Sequence, residues 1–257
     1  MRAQTLPAAA GWRWLLGGFA IFRRNPPLLG MLVLSYWFAI LLLNILPFIG
    51  SLAASLAIPG LSVGLMQAAR NLERGETIGI QTLFGGLKEN PRTLMTLGGL
   101  YLLCTLGVLG LTALFDGGAM LGAMLPGQAA EREIQHVSEL MLPAMIIMGL
   151  MTPVLMAYWF APVLAAWHHL SVGKALFFSF VACWLNWRAF LAYSVALLLV
   201  AGIIPGLLLG LLLILFPAIQ GLATALITMP MVLVVAPVVF ASFYVSYRDI
   251  FGISEIV

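Results

Sequence analysis

The sequence predicts an all-α polytopic membrane protein, with six transmembrane helices arranged as three diverged helical hairpins, each preceded by an interfacial amphipathic helix. Three observations lead there. Of the 257 residues, 63% are hydrophobic and only 8% charged, against about a quarter charged in soluble domains, so lipid is the main solvent. Apolar runs close to the roughly 20 residues needed to cross a bilayer core recur along the chain, and the alternation of a barrel strand is nowhere visible. Finally, asparagine follows phenylalanine by six residues at three places, Phe19 to Asn25, Phe84 to Asn90 and Phe180 to Asn186, each opening a long apolar run.

The elements follow in order. Trp12, Leu15, Leu16, Phe19 and Phe22 fall at helical spacing, with Trp12 and Trp14 suited to the headgroup level and Arg23 and Arg24 able to snorkel. The small residues Ala8 to Ala10 precede this apolar stretch rather than follow it, which is the reverse of a signal-peptide order. Spans of about Leu28 to Phe48 and Leu52 to Leu72 follow, joined by the uncharged turn Pro47 to Ser51. The second entry stretch carries Ile80, Leu83, Phe84 and Leu87, then Lys88 and Arg92, before a span from Thr93 to Phe115. Asp116 to Leu140 reads as an external segment whose second half is a short helix with Ile134, Val137 and Met141 on one face. The fourth span runs from Met141 to Trp167. Leu176, Phe177, Phe180, Cys183 and Trp184 form the third entry helix, with Trp187 and Arg188 at the interface. Spans from Ala189 to Phe216 and Leu222 to Tyr247, joined by Pro217 to Gly221, complete the set. The chain is thus one integral domain, 1–257, with repeats at about 12–76, 77–172 and 173–252 and the external segment at about 116–140. At each corner the asparagine, Asn25, Asn90 or Asn186, is expected to cap the span it opens, satisfying backbone donors that lipid cannot.

In this threading eleven basic residues share one side and only Arg132 lies on the other, which instead collects Asp116, Glu131, Glu133 and Glu139. The positive-inside rule then places both termini of this multi-pass protein in the cytoplasm.

Several stretches carry a resemblance: Gly11-Trp12-Arg13-Trp14 with Phe19, Phe22 and Pro26; Trp159-Phe160-Ala161-Pro162; Lys174 to Ser179 with Asn186 to Phe190; and Tyr247 to Gly252. Together, over nearly the whole chain, they resemble a family of six-span inner-membrane proteins of beta-proteobacteria, which brings no activity to carry over. More loosely, the chain is similar to the membrane module attached to some bacterial glycerophosphodiester phosphodiesterases. Since the catalytic domain of those enzymes has no counterpart here, their activity does not follow.

Candidate chemistry is sparse. Gly60-Leu61-Ser62-Val63-Gly64 matches the spacing of a nucleophile elbow, but Ser62 lies inside a span, and the three histidines lie near or beyond the membrane surfaces. Gly60 and Gly64 read instead as a helix-packing seam. Glu133, His136 and Glu139 supply half of a di-iron pattern, too little for a metal centre. His168 and His169, adjacent and interfacial, do not suit haem. Cys104 and Cys183 have contexts that suggest neither a disulfide nor a metal cluster. No ionised side chain falls near the middle of a span, which disfavours a carrier coupled through side-chain charges but leaves one built on broken helices at Pro59-Gly60, Pro205-Gly206, Pro230 and Pro237.

Gly202, Gly206 and Gly210 form a four-residue ladder read as a further packing seam, preferably internal, on which a Gly206→Leu change is damaging. The expectation is a non-catalytic protein without cofactor or metal, a lipid-interacting scaffold or accessory subunit. The alternative is a small-molecule or lipid carrier, which would show a polar cavity near the Pro-Gly breaks. Membrane lipids, and a membrane-protein partner or a second copy of the chain, are the partners in view. A net charge of +3, small and dispersed, argues against nucleic acid.

Overall fold

The computed structural model describes residues 3–46, 49–116 and 137–252, and every regular element among them is helical. These are α1 (Ala10–Phe22), α2 (Pro26–Asn44), α3 (Ile49–Glu73), α4 (Ile80–Gly85, extended by a 3-10 turn over Gly86–Lys88), α5 (Pro91–Asp116), α6 (Val137–Tyr158), α7 (Ala161–Trp167), α8 (Val172–Leu185), α9 (Trp187–Leu215) and α10 (Gln220–Phe251). Six helical stretches are long and apolar enough to cross a membrane: α2, α3, α5, the α6–α7 pair over Pro143–Trp167, α9 and α10. The shorter α1, α4 and α8 precede α2, α5 and α9. Residues 117–136, with Glu131, Glu133 and His136, lie outside the described residues, as does the 47–48 turn.

Local chemistry sets the boundaries. Proline opens α2 and α5, where its missing N–H costs nothing. Gly75, at φ +74°, ends the turn after α3 by donating its N–H to the Leu72 carbonyl. Arg24 donates to the last carbonyls of α3, at Leu72 and Glu73. In α9 and α10 the helix widens to a π-helical turn over Leu198–Ile203 and Met231–Val235, just ahead of Pro205 and Pro237. Each proline lacks the donor for the carbonyl four residues back and crowds it, and the widened turn accommodates both problems.

The densest packing is at the end carrying Arg24, Arg70 and Arg248, called here the basic end. α1 lies there between α9 and α10. A Cβ at Gly11 would come within 2.2 Å of the Ala189 carbonyl oxygen, and one at Gly18 within 2.5 Å of that of Val238. These close approaches bury Trp14 completely, its ring 5.2 Å from Phe190 and 5.9 Å from Tyr193. The sequence placed Trp14 beside Trp12 at the headgroup level, and the structure corrects this. With glycine on its inner face, α1 is drawn into the bundle, leaving Trp12, Arg13, Leu16, Phe19 and Ala20 on its exposed side. Toward the other end the bundle opens: Leu207, Leu211 and Ile214 of α9 and Leu222, Leu226 and Met229 of α10 are exposed, as befits helices solvated by acyl chains.

Candidate functional site

The fourth span is interrupted between α6 and α7 at Trp159-Phe160. The freed backbone groups there are satisfied by one hydroxyl, since Ser179 of α8 accepts from the Phe160 N–H at 2.9 Å and donates to the Met156 carbonyl at 2.8 Å. This break turns Tyr158 and Trp159 toward Pro59 of α3, and between them lies a cavity of about 420 Å³. α3 lines it with Ser55, Ile58, Pro59, Ser62 and Met66, and α5 with Gly98 and Tyr101. Leu155, Tyr158, Trp159, Pro162 and Val163 line it from the fourth span, Phe240 and Phe243 from α10.

Its wall is aromatic and apolar, with a few polar atoms. Trp159 packs edge-on to Phe243 at 4.9 Å, and Tyr101 to Tyr158 at 5.1 Å. Ser55 bonds its own helix at the Ser51 carbonyl, and Ser62 faces Tyr36 of α2. The Tyr158 hydroxyl and the Trp159 indole N–H are buried with no hydrogen-bond partner among the described residues. Stranded buried donors are uncommon in folded proteins, because each forfeits roughly 1–3 kcal/mol of solvation.

One helical turn toward the basic end, the same helices carry polar residues. Met66, Val163, Phe240 and Phe243 each have an i+4 neighbour on the same face: Arg70, Trp167, Tyr244 and Tyr247. These neighbours touch. The Arg70 guanidinium lies 4.9 Å over the Trp167 ring, which packs on Tyr247 at 5.2 Å and Tyr244 at 6.4 Å. The Tyr247 hydroxyl is 2.6 Å from His168 Nε2. Burial first, and then surrounding positive charge including that of Arg70, holds the His168 imidazole below its ordinary value of 6.5. Arg248 pairs with both nearby carboxylates, Glu73 and Asp249, and Tyr244 donates to Glu73 at 2.7 Å.

The corner asparagines take three different roles. Asn25 caps α2, its side chain accepting from the Leu28 N–H at 3.3 Å. Asn90 sits at φ +47° and does not cap; it donates to the Ala165 carbonyl of α7 and accepts from the Thr93 hydroxyl. Asn186, 1% exposed, accepts from the Leu6 N–H at 2.8 Å and donates to the carbonyls of Gln4 and Ala182, both at 2.9 Å. The shared capping role expected from the repeat therefore holds at Asn25 alone. At the other two corners distant backbone competes successfully for the side chain.

The glycines also divide. A Cβ at Gly60 would come within 2.6 Å of Leu87, and one at Gly64 within 2.0 Å of the Leu83 carbonyl oxygen, so α4 lies directly on this stretch of α3. At Gly206 and Gly210 a Cβ would meet nothing within 4 Å, and at Gly202 only the Leu198 side chain of the same helix. The internal seam expected of the ladder is corrected accordingly: among the described residues, its face of α9 packs against no other helix. Among the interfacial set, Trp12, Phe19, Phe84, Trp184 and Trp187 are exposed, Phe180 stacks on Trp184, and the exposed Arg23 and Arg188 lie over Phe19 and Trp187. Arg24 is exposed too, but turns to the end of α3. Sequence reasoning counted Arg70 toward orientation, used Trp159 and Tyr247 for the resemblance and Trp167 as a span end, and gave none of the four a role in a site. The signal was the i+4 spacing that links each basic-end residue to a cavity-lining one.

A probable inner membrane protein of Burkholderia thailandensis is 37% identical over 263 residues, an alignment covering 99% of this chain and 96% of that protein. The chain belongs to the same family. With six apolar helices, it is an integral protein of the inner membrane. No family model matches it, and no solved structure does. Nothing in these likenesses supports the looser kinship to the phosphodiesterase module.

Proposed function

We propose that this family member is a non-catalytic, lipid-interacting accessory protein that holds an apolar or amphiphilic molecule from the bilayer in the cavity beside Pro59. The observation that carries the reading is the pairing of an aromatic wall with two buried donors, Tyr158 and Trp159, that have no partner among the described residues. Ligand sites are typically apolar concavities with a few convergent polar groups, and this cavity has that composition at a helix break. The exposed rings of α1, α4 and α8 supply a collar that matches the headgroup region. Ser62 supports a role in the wall rather than in chemistry: it lines the cavity from α3, and His168 is engaged with Tyr247.

A carrier is the second reading, favoured specifically by the wide turns before Pro205 and Pro237, which leave two spans with weakened helical ladders. Purification from native membranes in mild detergent, followed by native mass spectrometry, tests the common core of both. The expected result is a retained lipid-sized adduct that Leu155→Trp, which fills the cavity, reduces by roughly tenfold, as about 1.4 kcal/mol of lost contact would do. A wild-type protein that flies free of any adduct would count against ligand binding.

The orientation with both termini cytoplasmic rests on the arginine asymmetry. Gly173, where a Cβ meets nothing within 4 Å, is a suitable probe site, whereas Gly75 at φ +74° is not. Gly173→Cys is expected to be protected from an impermeant thiol reagent in intact cells, and Gly127→Cys to be labelled. The reverse pattern would invert the topology.

A further inference from the structure

We infer that the ligand's polar end is an anionic phosphate headgroup, held at the basic end by Arg70 while its apolar part fills the cavity one turn below. This rests on the reading of the cavity as a lipid site. Arg70 is half-buried, and among the described residues no acceptor takes any of its N–H groups. Its Nε is buried outright. A guanidinium carries five donors and stays charged at any relevant pH, so leaving them all without an acceptor is costly unless something else supplies oxygens.

The cluster itself has no acid to spare. Glu73 and Asp249 are both bound by Arg248, and Glu73 also accepts from Tyr244. Arg70 is instead held in place by the Trp167 face, an arrangement that orients a guanidinium without neutralising it. A phosphate oxygen offers what is lacking, two or more acceptors in the geometry of the guanidinium fork. Among the described residues both carboxylates of this cluster are engaged by Arg248, leaving the ammonium of a zwitterionic headgroup without a free counter-charge in the cluster, so the site selects a net negative amphiphile over a zwitterionic one. The linear order completes the fit: Arg70 follows Met66 by one turn, and Trp167 follows Val163 by one turn, placing the charge at the interfacial mouth and the apolar wall deeper.

The test uses the full chain in detergent, delipidated, and titrated with phosphatidylglycerol, with phosphatidylcholine of the same acyl chains, and with inorganic phosphate, read by native mass spectrometry. The expected result is phosphatidylglycerol bound at least about tenfold more tightly than phosphatidylcholine: both carry the phosphodiester, and about 1.4 kcal/mol of repulsion between the choline ammonium and the basic end gives that ratio. Inorganic phosphate, lacking the apolar part, is expected to bind weakly. Arg70→Gln should weaken both lipids, since both carry the phosphodiester, and abolish the preference between them, and Arg70→Lys, which keeps charge but not the planar fork, should restore it in part. Equal binding of the two lipids by the wild type would overturn the anionic headgroup while sparing the lipid cavity. Binding of neither lipid would overturn the cavity reading itself, and tight binding of phosphate alone would assign Arg70 to a soluble anion instead. The wild-type comparison decides the matter even where an Arg70 variant fails to fold.

Discussion

Gly64→Leu is expected to leave little or no folded protein, while Gly206→Leu folds and melts close to the wild type. At Gly64 a Cβ would stand 2.0 Å from the Leu83 carbonyl oxygen and under 3 Å from the rest of that backbone unit. Nothing there is a flexible side-chain tip that can swing aside. Overpacking a well-filled core costs about 1–3 kcal/mol, and displacing the whole of α4 from α3 exceeds that range. At Gly206 the added side chain meets nothing within 4 Å, and the helix gains the better propensity of leucine, so stability should change by no more than about 0.5 kcal/mol. Size-exclusion profiles and thermal melts in detergent measure both. A Gly206→Leu protein that stays folded but changes its oligomeric state would place the ladder at a seam between chains. One that unfolds would show that the exposed face of α9 is covered from within.

The contrast between these two glycines marks where sequence reading stops. The spans were legible because bilayer thickness converts directly into run length, and the entry helices because apolar residues recur at helical spacing. Gly60-x-x-x-Gly64 and Gly202-x-x-x-Gly206 look alike as spacing, and only the position of α4 distinguishes them. The burial of Trp14 was similarly hidden, since the glycines that admit α1 between α9 and α10 do so through backbone contacts with residues far along the chain. Arg70 illustrates a third gap. As a charge near a span end it signals orientation, but its placement over Trp167, apart from any carboxylate, emerges only when α3, α7 and α10 come together.

The asparagines extend this point to a measurable ranking. A shared capping role implies similar losses, about 0.5–2 kcal/mol, when each is replaced by leucine. Asn25→Leu should stay within that range, because its one side-chain bond is to the Leu28 N–H. Asn90→Leu adds the strain of a branched residue at φ +47°, about 1–2 kcal/mol, to the loss of its bond to Ala165. Asn186→Leu should be the worst of the three. Its amide ties the N-terminal segment to the corner between α8 and α9, bonding both Leu6 and Gln4, while the Gln4 N–H is held by the Ile250 carbonyl at the end of α10. Leucine at this 1% exposed position would strand a backbone donor and an acceptor and detach the segment that closes the basic end. At roughly 1–3 kcal/mol for each stranded group, the loss should be about 2–4 kcal/mol. Thermal melts supply the ranking, and limited proteolysis supplies the mechanism, with Asn186→Leu expected to expose residues 3–9 to cleavage before the rest of the bundle. Equal losses at all three corners, with no early cleavage, would restore the common capping role and reduce the contacts to Gln4 and Leu6 to incidental ones.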